Sequence, residues 1–541
     1  MAYCAERCPC CWLGCVSLTE SSPSTNQLDE TTNLAGKGLG VASLTGLSRV
    51  AGLARDIVVS YFLGAGPIAD AFFVAFKIPN FFRRLFAEGA FQQAFIPLLS
   101  DYRENYTQSE LQEFVRTVAG NFAFVLLGLS FVGVLLAQQL IDLFTLRAWV
   151  GEPRYEVAID LLRVMFPYLG LISLTAFAGS ILNSYQRFAI TAGAPLILSV
   201  CIIIGAVWAA MLAGEVAYAM ALGVLTAGFL QLLVHLPTLM RLNLLQLPRL
   251  SFAHEGVRRM LRLIVPGVYA ASAGQINILV GTILCAQLTV GTVSWFYYAD
   301  RLIQLPMALL AIALQTILLP NLARLHRMND REQFNATIDW GVRIGVLLGL
   351  PASVALYYLA KPILATIFLR GSFEITDVEM TAIALQAFSI GLVPMVLTRV
   401  FGPGYFARED MHTPFVYATV GVGVNIGVSL SLFWWLGLLG IAYATTIAAF
   451  VHCYLLTTGL IRNGHYQPSR SLWRFVIASV GGCVVMVVAL AYLNLDFMQW
   501  VESSEWRRVG RMVLMVIGGV AVYAGIALIC GIRPRHVIHR V

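Results

Sequence analysis

The sequence predicts an all-α polytopic membrane protein: fourteen transmembrane helices, two six-helix lobes related by a pseudo-twofold axis along the membrane normal, and two further C-terminal helices. Three observations carry this. Of the 541 residues, 58% are hydrophobic and only 12% charged, and the mean hydropathy is +0.76, far from the balance of a soluble domain. Apolar runs of about 20 residues or more, the length that spans a bilayer as a helix, recur along nearly the whole chain. They are continuous rather than alternating, which excludes a barrel. The third observation is a weak internal repeat.

The runs cover 38–63, 68–99, 115–144, 157–186, 189–213, 216–240, 260–286, 291–320, 337–359, 378–404, 414–437, 438–461, 472–494 and 509–531. Polar or Pro/Gly-containing turns bound them. Gly64 to Pro67 closes the first, "SDYRENYTQSE" follows the second, "RAWVGEPR" the third, Gln186 and Arg187 the fourth, and "AGE" the fifth. "LPRLSFAHEG", "LTVG", "HRMNDRE", "RGSFEITD" and "REDMHTP" separate the sixth to eleventh; Gly437, "RNGHYQPSR" and "NLDFMQWVESSEWRR" separate the rest. Basic loop residues such as Arg103, Arg187, Arg241, Arg324, Arg408 and Arg462 fall on one side of this scheme. By the positive-inside bias both termini are cytoplasmic, and the net charge of +7 reflects topology rather than nucleic-acid binding.

The repeat appears where "AFQQAFIPLL", Ala90 to Leu99, faces "ALQTILLPNL", Ala313 to Leu322, so that Ala90, Gln92 and Pro97 align with Ala313, Gln315 and Pro320. Gly66 likewise faces Gly291, and Arg187 faces Arg408. An offset of about 220 residues is six helices, an even number, so both copies keep one orientation and a substrate site between lobes is expected. The expected organisation is a disordered cysteine-rich extension over 1–32, an N-lobe over 33–256, a C-lobe over 257–468, and a C-terminal helix pair with a short basic tail over 469–541. Helices thirteen and fourteen stand outside the repeat. The extension holds Cys4, Cys8, Cys10, Cys11 and Cys15 without a regular metal-ligand spacing, so no metal or other cofactor is expected.

Charges within the apolar runs point to the function. Each costs roughly 2.5 to 3.5 kcal/mol at a helix centre even on the mildest insertion scale. "SRVAGLARD" sets Ser48, Arg49, Arg55 and Asp56 in the first run, with the arginines about 9 Å apart along the axis. They can address one cavity at two depths, or Arg49 can snorkel to the interface. The second run, "IADAFFVAFKIPNFFRRLFAEGAF", carries Asp70, Lys77, Arg83, Arg84 and Glu88 around Pro79, which interrupts the helical ladder. Arg84 and Glu88 are spaced to pair with each other; Asp70 is either an interfacial gate or a loop acid. In "WFYYADRLIQLP" Asp300 and Arg301 precede Pro306. Guanidinium is permanently charged and forks onto phosphate oxygens, so an excess of arginine predicts an anionic cargo such as a phosphate or diphosphate.

No nucleotide-hydrolysis motif is present: "AGKGLG" lacks the P-loop spacing, and no HExxH or GxSxG offers catalysis. A transporter rather than an enzyme is expected.

Four stretches, "SRVAGLARD", "ADAFFVAFKIPNFFRRLFAEGAF", "FPYLGLISLTAFAGSILNS" and "VSWFYYADRLIQLP", closely resemble the MviN/MurJ-type lipid II flippases of bacteria. These belong to the multidrug/oligosaccharidyl-lipid/polysaccharide exporter superfamily. The resemblance implies alternating access for lipid II, the undecaprenyl-diphosphate peptidoglycan precursor, in the bacterial cytoplasmic (inner) membrane by a monomer. It also implies that Arg49, Arg55, Arg83 and Arg301 bind substrate, that Ser48, Asp56, Asp70 and Glu88 support or gate, and that the last two helices shape a groove for the polyprenyl tail. A coupling ion is not specified. The sequence departs from the family at Gln304 and Leu305, where an acid and an aromatic are usual. The rival readings are a flippase for another polyprenyl-diphosphate saccharide and a multidrug antiporter of the same fold; the antiporter would favour cavity carboxylates over arginines.

Overall fold

The computed structural model describes residues 25–85, 91–493 and 496–530; the five N-terminal cysteines and Glu88 lie outside these. Among the described residues it is helical throughout, without strands. The helices are α1 (Thr25–Leu63), α2 (Pro67–Arg83), α3 (Phe91–Asn105), α4 (Gln108–Leu135), α5 (Ala137–Thr145), α6 (Pro153–Met165) and α7 (Tyr168–Ser184). These are followed by α8 (Phe188–Met211), α9 (Val216–Arg241), α10 (Glu255–Ala286), α11 (Thr292–Arg327), α12 (Arg331–Tyr358), α13 (Ala360–Ile367) and α14 (Ile375–Ile390). The chain ends with α15 (Leu392–Phe406), α16 (His412–Leu436), α17 (Leu438–Arg462), α18 (Arg470–Leu493), α19 (Phe497–Glu502) and α20 (Glu505–Ile529).

By length and composition, 11 helices among the described residues can cross a membrane. The predicted runs 38–63, 68–99 and 260–286 are the three outside that set. They coincide with α1, which carries Arg49, Arg55 and Asp56, with α2 and α3, and with α10, whose described apolar part is Gln275–Ala286. Helix α1 starts at Thr25, within the segment 1–32. No proline or glycine lies between Pro23 and Gly36, and a nucleated helix extends until something breaks it.

Pro79 does not break its helix either. Helix α2 runs through it to Arg83, with the Asn80 amide donating to the Phe76 carbonyl at 2.8 Å.

The repeat is visible in the packing. Helix α1 packs on α8, α2 on α6, α7 on α4 and α9, and α8 on α9. Correspondingly α10 packs on α16, α11 on α14, α15 on α12 and α17, and α16 on α17. The interruptions α4/α5 at Leu136 and α12/α13 at Leu359 lie 223 residues apart, the offset of the aligned Ala, Gln and Pro. Helices α18 and α20 pack together and against α12, outside this pattern.

Candidate substrate cavity

The site is organised by one carboxylate. Asp56, on α1, is 1% exposed. Its Oδ1 accepts from Arg55 Nη2 at 2.7 Å and Nε at 3.0 Å, and its Oδ2 accepts from Arg301 Nε of α11 at 2.6 Å. The Tyr297 hydroxyl, one turn before Arg301, donates to Oδ1 at 3.2 Å. Two guanidiniums from opposite halves of the chain thus converge on one acid, and the trio keeps a net positive charge. Gly52 makes room for it: a Cβ there would stand 2.5 Å from Arg301 Nη2.

Beside this trio lies a cavity of about 600 Å³. Ser48, Arg49, Arg55, Arg83 and Arg301 all line it, joined by Arg84, Asn80 and Gln304. Arg83 Nε donates to Asn80 Oδ1 at 3.2 Å, which turns its guanidinium along the cavity wall. No carboxylate is among the described lining residues; Asp56 reaches the cavity only through its two arginines. In such a site five guanidiniums favour a multiply charged anion with several oxygen acceptors.

The halves meet again where α1 ends and α11 begins. Asp70, in the first turn of α2, is fully buried and accepts from Gly291 N at 2.7 Å, Ser294 N at 3.0 Å and Ser294 Oγ at 2.6 Å. It therefore caps α11 across the halves, where the helix dipole favours a negative charge. Arg154 of α6 completes the acid's shell at 3.2 Å, its guanidinium 4.4 Å over the Trp149 ring. Next to this, Ser372 N donates to the Tyr61 carbonyl at 2.9 Å. Gly64 and Gly371, both at positive φ, pass so closely that a Cβ on either would overlap the facing backbone.

All four arginines expected to bind substrate share the cavity, as does Ser48. Asp56 is the counter-ion of Arg55 and Arg301, and Asp70 is not in a loop but buried in α2 as an inter-half cap on α11. Glu88 lies outside the described residues, so its pairing with Arg84 is not described; Arg84 itself faces the cavity. Sequence reasoning missed Tyr297, Asn80 and Arg154. Arg154 had a signal, since Asp377, 223 residues on, takes the equivalent place on α14 and accepts from Trp295 Nε1 at 2.9 Å.

The two-half helical architecture around a cationic cavity defines the class as a membrane carrier. The sequence model described as "Lipid II flippase MurJ" matches residues 59–510. Relatives include a probable lipid II flippase MurJ of Haemophilus influenzae, 34% identical over 92% of this chain and 99% of the relative. A lipid II flippase MurJ of Burkholderia cenocepacia is 36% identical over 92% and 97% of the two chains. The chain belongs to the MurJ lipid II flippase family. Its fold matches a solved structure titled "Lipid II flippase MurJ, inward closed conformation" with a TM-score of 0.77, at 24% identity over 92% and 99% of the two chains. An inward-facing multidrug resistance MATE family transporter of the MOP superfamily shares the fold at a TM-score of 0.63 and 16% identity, over 78% and 97%.

Proposed function

We propose that this chain translocates lipid II, a polyprenyl-diphosphate-linked saccharide, from the inner to the outer leaflet of the bacterial cytoplasmic membrane. The observation that carries this is the cavity between the halves: five arginines, no lining carboxylate among the described residues, and one buried acid balancing two of the arginines. A diphosphate satisfies them while the lobes over 33–256 and 257–468 rock about it in alternating access. The end where Asp70 caps α11 is the outer end, held closed, and both termini are cytoplasmic. The protein works as a monomer, without catalysis or a cofactor, and with membrane lipids rather than nucleic acid around it.

The tail stays in lipid, guided by a second cavity of about 600 Å³ between α12, α18 and α20. It is almost wholly apolar, with Leu347, Pro351, Met486, Met515, Gly519 and Tyr523 in its wall. The test is depletion of a bacterium's own flippase with this chain as the only replacement. Growth with lipid II exposed on the outer leaflet is expected; lysis despite membrane insertion of the chain would overturn the proposal. Exposure of a different polyprenyl-diphosphate saccharide would favour the closest rival.

A further inference from the structure

The arginine cavity has a second wall with the opposite hydrogen-bonding character. Helices α7, α8 and α9 bring Gly179, Thr191, Gln231 and His235 together, and Thr191, Gln231 and His235 line the cavity. Gln231 and His235 lie four residues apart on one face of α9 and are 1% and 0% exposed. The Gln231 amide donates to the Ala194 carbonyl at 2.8 Å, leaving its Oε1 without a partner. His235 Nδ1 lies 2.7 Å from the Gln231 carbonyl. A carbonyl only accepts, so Nδ1 carries the proton, and in the neutral ring Nε2 presents a lone pair; Nε2 also has no partner. Thr191 Oγ1 is the third such atom. Pro195, inside α8, has no N–H to return to the Thr191 carbonyl.

Buried polar atoms are normally satisfied, and three unsatisfied ones in one corner of a cavity call for a ligand group. The corner exists because residue 179 is glycine. A Cβ there would stand 3.0 Å from Thr191 Cγ2, 3.4 Å from Thr191 Oγ1 and 3.8 Å from His235 Nε2. The wall offers mainly lone pairs in a cavity that already holds five guanidiniums, so an uncharged donor suits it better than a cation. We propose that this corner is a saccharide subsite, where hydroxyl and amide N–H groups of the sugar joined to the diphosphate donate to His235 Nε2, Gln231 Oε1 and Thr191 Oγ1 while the arginines hold the diphosphate. This rests on the proposed lipid II substrate and adds headgroup recognition to it.

The test compares two probes, lipid II and undecaprenyl diphosphate, by equilibrium binding to the full chain in lipid nanodiscs. The unaltered chain should hold lipid II more tightly. Thr191→Val, nearly isosteric, and Gly179→Ala, which fills the corner, should each weaken lipid II roughly tenfold, about the effect of a lost hydrogen bond, and leave undecaprenyl diphosphate within about twofold. Equal weakening of both probes, or no weakening of lipid II, would overturn the subsite and leave ordered water as the occupant of the corner. Binding of neither probe by the unaltered, folded chain would instead remove the lipid II reading, and the subsite with it.

Discussion

Asp56 Oδ2 stands 2.6 Å from Arg301 Nε, an ion pair that joins α1 to the second half of the chain while the same carboxylate holds Arg55. Asp56 therefore competes with any anionic cargo for two of the cavity's guanidiniums. Asp56→Asn keeps the shape and removes the competing charge. The variant should bind undecaprenyl diphosphate several-fold more tightly yet fail to support growth, because the inter-half bridge that re-forms after release is gone. Binding in nanodiscs and complementation check the two halves; weaker binding with normal growth would show that the acid positions the arginines rather than competing for them.

The cavity arginines make a second prediction. Changing Arg49, Arg55, Arg83 or Arg301 to Ala should abolish rescue with membrane insertion intact, and Lys should restore it only partly, since ammonium cannot fork onto phosphate. Gly52→Ala tests Arg301 without altering any charge. The new Cβ displaces the guanidinium from Asp56, so complementation should fall as it does for Arg301→Lys. Full growth of Gly52→Ala would mean that the Asp56 bridge is dispensable.

Part of this site was legible in the sequence because arginines are costly in an apolar run: that cost marks Arg49, Arg55, Arg83 and Arg301 among several other charges, the resemblance singles out these four, and they share one cavity. The repeat was legible too, from Ala, Gln and Pro at one offset, and the packing of α1 to α9 recurs in α10 to α17. What pattern could not give was partnership. Asp70 looked like a residue near water because position along a helix says nothing of a facing helix terminus; its ligands Gly291 and Ser294 are more than 220 residues away. Pro79 suggests a break because proline removes one helical hydrogen bond, but α2 continues through it to Arg83, with the Asn80 amide donating to the Phe76 carbonyl.

Asp70 and Arg154 should behave as a latch on the closed end. Removing one member of a buried pair costs about 3 to 5 kcal/mol, here charged against the closed state. Asp70→Asn and Arg154→Gln should each raise labelling of a cysteine placed at Gly66, near the junction. In a double-mutant cycle the two effects should be less than additive. Additive effects would place the two residues in separate roles.

The apolar groove yields a chain-length prediction. Gly481 is exposed, and neither it nor Gly518 lines the groove, whereas Gly519 does. Gly519→Trp should therefore impair transport of full-length polyprenyl substrate more than of a short-tail analogue, with Gly481→Trp as the control that spares both. Equal impairment of both substrates by Gly519→Trp would assign the groove to helix packing alone.

Energy is the last question that the charges address. The cavity carries Arg49, Arg83 and Arg84 beside the positively charged trio of Arg55, Asp56 and Arg301, so a membrane potential can act on the carrier itself. A charge crossing the full potential gains or loses about 2.3 kcal/mol per 100 mV, so partial movement of several arginines is enough to bias the lobes. An interior-negative potential pulls the empty cationic cavity toward the cytoplasm, whereas a bound diphosphate, with two negative charges, offsets part of that charge and so favours opening outward. Collapsing the membrane potential at constant ATP should therefore stop lipid II export in cells, and collapsing only the pH gradient should do less. Asp56→Asn adds one positive charge to the moving set, so any residual export should depend more steeply on voltage. Undiminished export at zero potential, with the arginines intact, would exclude the electrical reset and leave consumption of the precursor on the far side as the driving force.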